Sequence, residues 1–149
     1  MCNFVFIKNL KKTLSLGEKL SQKLNPQSIV LLKGPIGAGK TSFVQGIAKG
    51  LSISEDISSP TFSLSHHYYS GKIPLIHLDL YRLNSISSAK EVFFSEEEEA
   101  IQNNAILVIE WPELIEPLID NFWKIKISYA KNCGRHYEIR DPKNFLTFS

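Results

Sequence analysis

The chain has 149 residues, 43% of them hydrophobic and 21% charged, and a net charge of +2. These are globular values that suit one domain with a real core, and so small a net charge does not mark a nucleic-acid binder. No apolar run reaches membrane length and no basic-then-apolar leader opens the chain, so a cytoplasmic protein without membrane contact is expected. The charge is unevenly spread. Residues 1–50 hold eight Lys against one Glu, and the rest hold nine Lys plus Arg against fourteen Asp plus Glu. A basic first third suits phosphates, an RNA or an acidic partner, or is simply solvated surface lysine. Cys2 and Cys133 fit no metal spacing, and no disulfide is expected between them.

Cys2 to Ile7 is short, apolar and aromatic, and reads as a strand. Asn9 is a plausible N-cap for a helix running to Leu24, with Thr13, Leu16, Gly17, Leu20 and Leu24 on one face. A mid-helix glycine costs about 1 kcal/mol relative to alanine, so close packing against a neighbour is the reason to expect one at Gly17. Asn25-Pro26 ends that helix.

Residues 28–51 form the unit around which the chain is organised. Ile29 to Leu32 reads as a buried strand, and Gly34-Pro35-Ile36-Gly37-Ala38-Gly39-Lys40-Thr41 fits G-x-x-x-x-G-K-[ST], the P-loop pattern. Glycines permit close backbone approach, so main-chain N–H groups can form an anion nest. A helix starting near Lys40 adds its positive dipole end. The lysine suits β- and γ-phosphates, and the Thr41 hydroxyl suits Mg²⁺. Ser42 follows within the first turn. Phe43, Val44, Ile47, Ala48 and Leu51 recur at helical spacing, and Gly50 reads as the stop. The whole stretch from Gly34 to Ser42 is therefore expected to bind a nucleoside triphosphate with Mg²⁺.

After a polar connection, Thr61 to Tyr69 alternates as a strand, Ser70-Gly71-Lys72 turns, and Ile73 to Leu80 returns as its antiparallel partner. His66, His67 and His77 fall on these strands without Cys or carboxylate at ligand spacing, and read as structural rather than metal-binding. Ala89 to Asn104 holds a helix with Ser95 as N-cap and Glu96 to Glu99 in its first turn. Those glutamates read as a solvated helix start rather than a metal or partner site. Ala105 to Ile109 is a buried strand ending in Glu110-Trp111-Pro112. Glu113 to Ile119 suits a short helical turn. Phe122 to Ala130 alternates as a strand, residues 132–135 turn, and His136 to Arg140 closes the chain's elements. No linker, repeat or low-complexity stretch divides residues 1–149, which read as a single P-loop ATPase domain.

Two carboxylates, Asp79 and Glu110, end apolar strands, and ligands of open α/β sheets sit at such ends. Either one suits holding Mg²⁺ directly, holding it through water, or polarising an attacking water. Hydroxyls in Ser58-Ser59-Pro60-Thr61-Phe62 suit a switch-like segment or simply a proline-bounded strand start.

Four blocks together resemble the TsaE family, also called YjeE: the phosphate loop, Ser59-Pro60-Thr61-Phe62, His77-Leu78-Asp79-Leu80-Tyr81-Arg82-Leu83, and Ile109-Glu110-Trp111-Pro112. Gly134-Arg135 resembles a further family feature. The resemblance implies an α/β, P-loop NTPase-like three-layer fold, with a mixed central β-sheet flanked by helices. It implies ATP in the P-loop, Mg²⁺ held by Thr41 and Glu110, and Asp79 as a catalytic carboxylate beside Lys40. Thr61 would lie in the switch-like segment, and Trp111 and Arg135 beside the nucleotide. The implied function is ATP hydrolysis supporting repeated rounds of N6-threonylcarbamoyladenosine formation at position 37 of tRNAs that read codons beginning with A. The implied partners are a TsaD-like catalytic protein, which performs the transfer, and its TsaB-like companion, with tRNA reached indirectly. The chain departs from the family in having Pro35-Ile36 where Asp-Leu is usual, and Glu91-Val92-Phe93-Phe94 where an acidic-Leu-Gly stretch is usual. Two rivals are a P-loop small-molecule kinase and a nucleotide-gated adaptor. The first is disfavoured because the only arginines are Arg82, Arg135 and Arg140, with none in the lid-sized segment 84–104.

Overall fold

Seven strands and three helices make up the computed structural model, which describes residues 2–143. In chain order they are β1 (Cys2–Ile7), α1 (Leu10–Ser21), β2 (Ile29–Lys33), α2 (Lys40–Gly50), β3 (Ser65–Tyr68), β4 (Leu75–Asp79), α3 (Ile86–Asn103), β5 (Ile106–Glu110), β6 (Trp123–Tyr129) and β7 (Arg135–Arg140). A 3-10 turn, Glu116–Leu118, lies between β5 and β6. The sheet order is β1-β7-β6-β2-β5-β4-β3. β2 runs parallel to β5 and β6, and β4 parallel to β5, while the outer pairs β1–β7, β6–β7 and β3–β4 are antiparallel. The expected α/β fold with a mixed sheet between helical layers is what the chain forms.

Strand alternation builds the layers. Val30 and Leu32 of β2, with Ile106 and Val108 of β5, pack under α1 and α2 through Leu16, Leu20, Phe43, Val44 and Ile47. Leu31, Leu107 and Ile109 point the other way, against Ala89, Phe93 and Ala100 of α3. β4 and β5 are covered on both faces, so Ile106–Glu110 and Leu75–Asp79 are buried at every position and apolar except at His77, Asp79 and Glu110.

The Gly17 expectation holds. A Cβ on Gly17 would lie 2.5 Å from the Phe43 carbonyl oxygen, and one on Gly46 would lie 2.4 Å from the Leu14 carbonyl oxygen. The two helices therefore meet backbone to backbone. α2 ends at Gly50, as expected, and a Cβ there would run into Ser21. Its place is set by packing on α1.

Other boundaries shift for local reasons. Asn9 caps α1 by accepting from the Lys12 N–H, but the helix ends at Ser21, and Leu24 is buried from the turn beyond. Thr61–Ser63 are a turn, not strand, because the backbone of Leu64 is left-handed (φ 69°) and pairing begins at Ser65. α3 starts at Ile86 under Ser85, which accepts from the Ser88 N–H, so Ser95 is mid-helix rather than a cap. Glu96 and Glu99 then face β3: Glu96 accepts from Ser65 and His67, and Glu99 from Tyr69. They tie an edge strand to a helix instead of forming a solvated first turn. Phe93 is core, while Phe94 is 45% exposed. No helix among the described residues is long and apolar enough to cross a membrane.

Gly46→Ala tests the helix contact. Alanine is the better helix former, yet overpacking against backbone that cannot yield costs about 1–3 kcal/mol. Urea unfolding is expected to show that loss; an unchanged or raised midpoint would show that the helices can separate without cost.

Candidate functional site

The loop leaving β2 turns into α2 at Gly39, whose φ of 99° is left-handed and suits a residue without a Cβ. It lies at the carboxyl end of the parallel strands. The register does the rest: Leu32 of β2 stands opposite Glu110 of β5, and Glu110 opposite Asp79 of β4. Two carboxylates thus sit side by side, one strand from the loop. They share a cavity of about 410 Å³ with Ile36, Gly37, Gly39, Lys40, Thr41, Ser42, Ser59, Thr61, Tyr81 and Trp111. A slightly larger hollow, about 450 Å³, lies by Gln27, Trp123 and Asp141 at the opposite strand ends, away from the loop.

Lys40, Asp79 and Glu110 are all buried, at 6%, 2% and 3% exposure. Each has partners. The Lys40 ammonium donates to the Gly34 carbonyl, approaches that of Pro35 at 3.5 Å, and stands 3.7 Å from the centre of the Trp111 ring. Burial pulls its pKa below the ordinary lysine value, while Glu110, Asp79 and Glu113 act to raise it. Asp79 accepts from the Thr61 hydroxyl at 2.8 Å and from the Tyr81 N–H at 2.9 Å. Ser59 lies 2.7 Å from the Thr61 hydroxyl. Glu110 accepts from His77 Nε2 at 2.6 Å. Trp111 holds a left-handed backbone (φ 55°) and packs its ring 4.9 Å from Tyr81. A bulky residue in that region is strained; here it lays the indole over the lysine.

The residues singled out from sequence divide accordingly. Gly37, Gly39, Lys40, Thr41, Ser42, Thr61, Asp79, Glu110 and Trp111 line one cavity, as does Ile36, which is mostly exposed at its rim. Gly34 instead backs onto β6, where a Cβ would meet the Ile127 carbonyl oxygen at 2.9 Å. Pro35 contributes a carbonyl to Ala38 N–H and Lys40. Arg135 stands behind the loop: it donates to the carbonyls of Ala38 and Gly37 and lies 4.5 Å from the Tyr129 ring. Tyr129 in turn donates to the Ile36 carbonyl at 2.5 Å. This pair braces the loop from outside. Arg135 also lines a second cavity of about 260 Å³, with Asn9, Leu10, Thr13, Gly37, Ala38, Gly39 and Ser42.

His77 is the residue whose place in the site sequence reading missed. Its buried strand position was visible, but the contact with Glu110 depends on the register of β4 against β5. Among the described residues no three His, Cys, Asp or Glu side chains gather as a metal site.

The Lys40–Trp111 contact is measurable, because the only other tryptophan is Trp123. In a Trp123→Phe background, Lys40→Met is expected to shift Trp111 emission. Superimposable spectra would mean that the ammonium does not sit over the indole in solution.

The sequence matches the family model described as threonylcarbamoyl adenosine biosynthesis protein TsaE over residues 7–137. A protein of a Nostoc species named tRNA threonylcarbamoyladenosine biosynthesis protein TsaE is 41% identical over 137 residues, covering 91% of this chain and 83% of that one. The Rickettsia prowazekii protein of the same name is 38% identical, with coverage of 91% and 92%. The crystal structure of Bacillus subtilis YdiB superposes with a TM-score of 0.77 at 25% identity, over 93% of this chain and 84% of that one. With the family matched across nearly all of its described strands and helices, this chain belongs to the TsaE family of threonylcarbamoyl adenosine biosynthesis proteins.

Proposed function

We propose that this protein binds ATP across the Gly34–Ser42 loop and hydrolyses it with Mg²⁺, in support of a TsaD-like and TsaB-like pair that modifies tRNA in the cytoplasm. The observation that carries the reading is the side-by-side placement of Asp79 and Glu110 above a P-loop lysine, all three buried in one cavity.

The residues fit the ligand. The first-turn N–H groups of α2 and the loop amides suit phosphate oxygens. Two cavities meet at Gly37, Gly39 and Ser42, which suits a long ligand with phosphates in one and nucleoside in the other. Thr41 and Glu110 would hold Mg²⁺, and so few protein ligands suit an ion that arrives with phosphates. When bound, the ion neutralises charge on the β- and γ-phosphates.

The chain's own groups then change partners. Lys40 leaves the Gly34 and Pro35 carbonyls and the Trp111 face to meet phosphate charge. Thr61 leaves Asp79 for the γ-phosphate, which frees the carboxylate to accept a hydrogen bond from the attacking water and orient it. The tyrosine amide keeps the other Asp79 oxygen occupied, so the carboxylate does not rotate away.

Two features bear on the rivals. Segment 84–104 folds as α3 against the far sheet face through Ala89, Phe93 and Ala100, which is not where a phosphate-clamping kinase lid sits. No arginine lines the carboxylate cavity: Arg82 lies by Phe62, and Arg135 stands behind the loop. Catalysis without such a cation is slow, and one supplied in trans accelerates it strongly.

Calorimetry and an ATPase assay test this. Lys40→Ala is expected to weaken ATP binding roughly 10- to 100-fold, the worth of a charged hydrogen bond of about 1.5–3 kcal/mol. Glu110→Ala should keep metal-free nucleotide binding and lose Mg²⁺-dependent hydrolysis. Wild-type protein that ignores ATP and ADP in the presence of Mg²⁺ would end the reading. Adding the two partners is expected to raise turnover; an isolated chain already working at the rate of the assembly would contradict the missing-arginine argument.

A further inference from the structure

His77 is a fully buried polar residue with one ring nitrogen paired and the other not. It lies in the middle of β4 with no exposed surface, and its Nε2 stands 2.6 Å from Glu110 Oε2, a carboxylate that is itself 4% exposed. Its Nδ1 has no hydrogen-bond partner among the described residues. The placement follows from strand geometry. Leu75, His77 and Asp79 share one face of β4 by alternation. His77 stands opposite Val108, so the next residue on that face of β5, Glu110, is its diagonal neighbour and within reach of a long side chain.

A buried polar group with an empty acceptor is destabilising compared with an apolar side chain of similar shape. A leucine would continue the run Leu75-Ile76 and Leu78 and serve the core better. What the imidazole adds is one strong donor aimed at one oxygen of Glu110. A carboxylate only accepts, so the proton of this contact sits on Nε2. That fixes the tautomer and commits Oε2, which leaves Oε1 as the oxygen Glu110 can offer to the cavity it lines.

We propose that His77 is a positioning residue: through the Nε2–H to Oε2 bond it holds the Glu110 carboxylate in the rotamer that meets the metal ion. This rests on the reading of Glu110 as a Mg²⁺ ligand. It is the arrangement of an outer-shell donor orienting a metal-binding group, whose loss commonly weakens metal binding about 10- to 100-fold. Because His77 is embedded in a strand covered on both faces, its hold on Glu110 does not depend on nucleotide.

The test has two arms. In metal-free wild-type protein, ¹⁵N NMR of the imidazoles is expected to show one ring carrying its proton on Nε2 alone, and Glu110→Ala to remove that signature. A mixed-tautomer pattern, or no response to Glu110→Ala, overturns the proposal. In calorimetry, His77→Leu is expected to bind ATP normally without metal and to need roughly tenfold more Mg²⁺ for the metal-dependent gain. His77→Gln, which keeps a donor at the same reach, should recover most of that loss. A folded His77→Leu protein with wild-type Mg²⁺ dependence, or equal loss in both variants, overturns it as well. If His77→Leu does not fold, the NMR arm and His77→Gln decide. Should Glu110→Ala leave Mg²⁺ dependence untouched, the underlying metal reading fails, whatever His77 does.

Discussion

Three ionisable side chains with little exposure, set in the wall of one cavity, have to be satisfied in one place, and the rest of this structure is arranged around that requirement. Lys40, Asp79 and Glu110 are each more than nine-tenths buried. An isolated charge in such surroundings is prohibitively costly, and even a paired one gains stability only when its remaining donors and acceptors are filled. Here each group has a dedicated partner of a different kind: loop carbonyls and an indole face for the ammonium, a hydroxyl and a backbone N–H for Asp79, an imidazole for Glu110. The cluster is a poor way to stabilise a core and a good way to prepare a charged site.

Holding those groups in place demands a scaffold that does not give. The two carboxylates sit on neighbouring parallel strands whose every position is buried, so neither can move without shearing the sheet. The lysine sits on the first turn of α2, and α2 is locked against α1 where glycines let two backbones touch. On the open side of the loop the brace is lighter: Arg135 and Tyr129 reach from β7 and β6 to the carbonyls of Ile36, Gly37 and Ala38. The strand-borne half of the site is therefore rigid, and the loop-borne half is held by side chains.

That division also explains what could be read in advance. The phosphate loop, its strand and its helix are local, since a motif, an apolar run and a 3.6-residue stripe each speak for themselves; the mixed three-layer fold was expected from the family resemblance. Asp79 and Glu110 were visible as strand-end carboxylates. Their adjacency was not, because register is a pairing between strands 31 residues apart in sequence. The same blindness hid the His77–Glu110 bond. Ser95 misled because a serine before four glutamates imitates a cap, while the buried stripe of Ala89, Phe93 and Ala100 runs straight through it. Thr61 looked like strand because it is β-branched. Its hydroxyl bond to Asp79 and the left-handed Leu64 keep it out of the sheet, and so leave it beside the cavity. Arg135 was placed beside the nucleotide on resemblance; its hydrogen bonds go to the carbonyls of Gly37 and Ala38, and it lines the smaller cavity next to the loop.

The partners of the three buried charges differ in how readily they can be exchanged. The Lys40 contacts are with its own loop and with a strained tryptophan at the cavity edge, and both can be given up for phosphate oxygens with no rearrangement of the sheet. The Thr61 bond comes from a turn and is equally exchangeable. His77 cannot leave, since it is fixed in β4. In the proposed reading, a polyphosphate entering the cavity would replace two weak internal partners with stronger charged ones and would meet the Glu110 carboxylate that His77 holds. On the same reading, a ligand with several negative oxygens and an accompanying cation would meet ammonium, hydroxyl and carboxylates together. An uncharged ligand of the same size would offer these groups nothing stronger than the partners they already have, and so would gain nothing by displacing them.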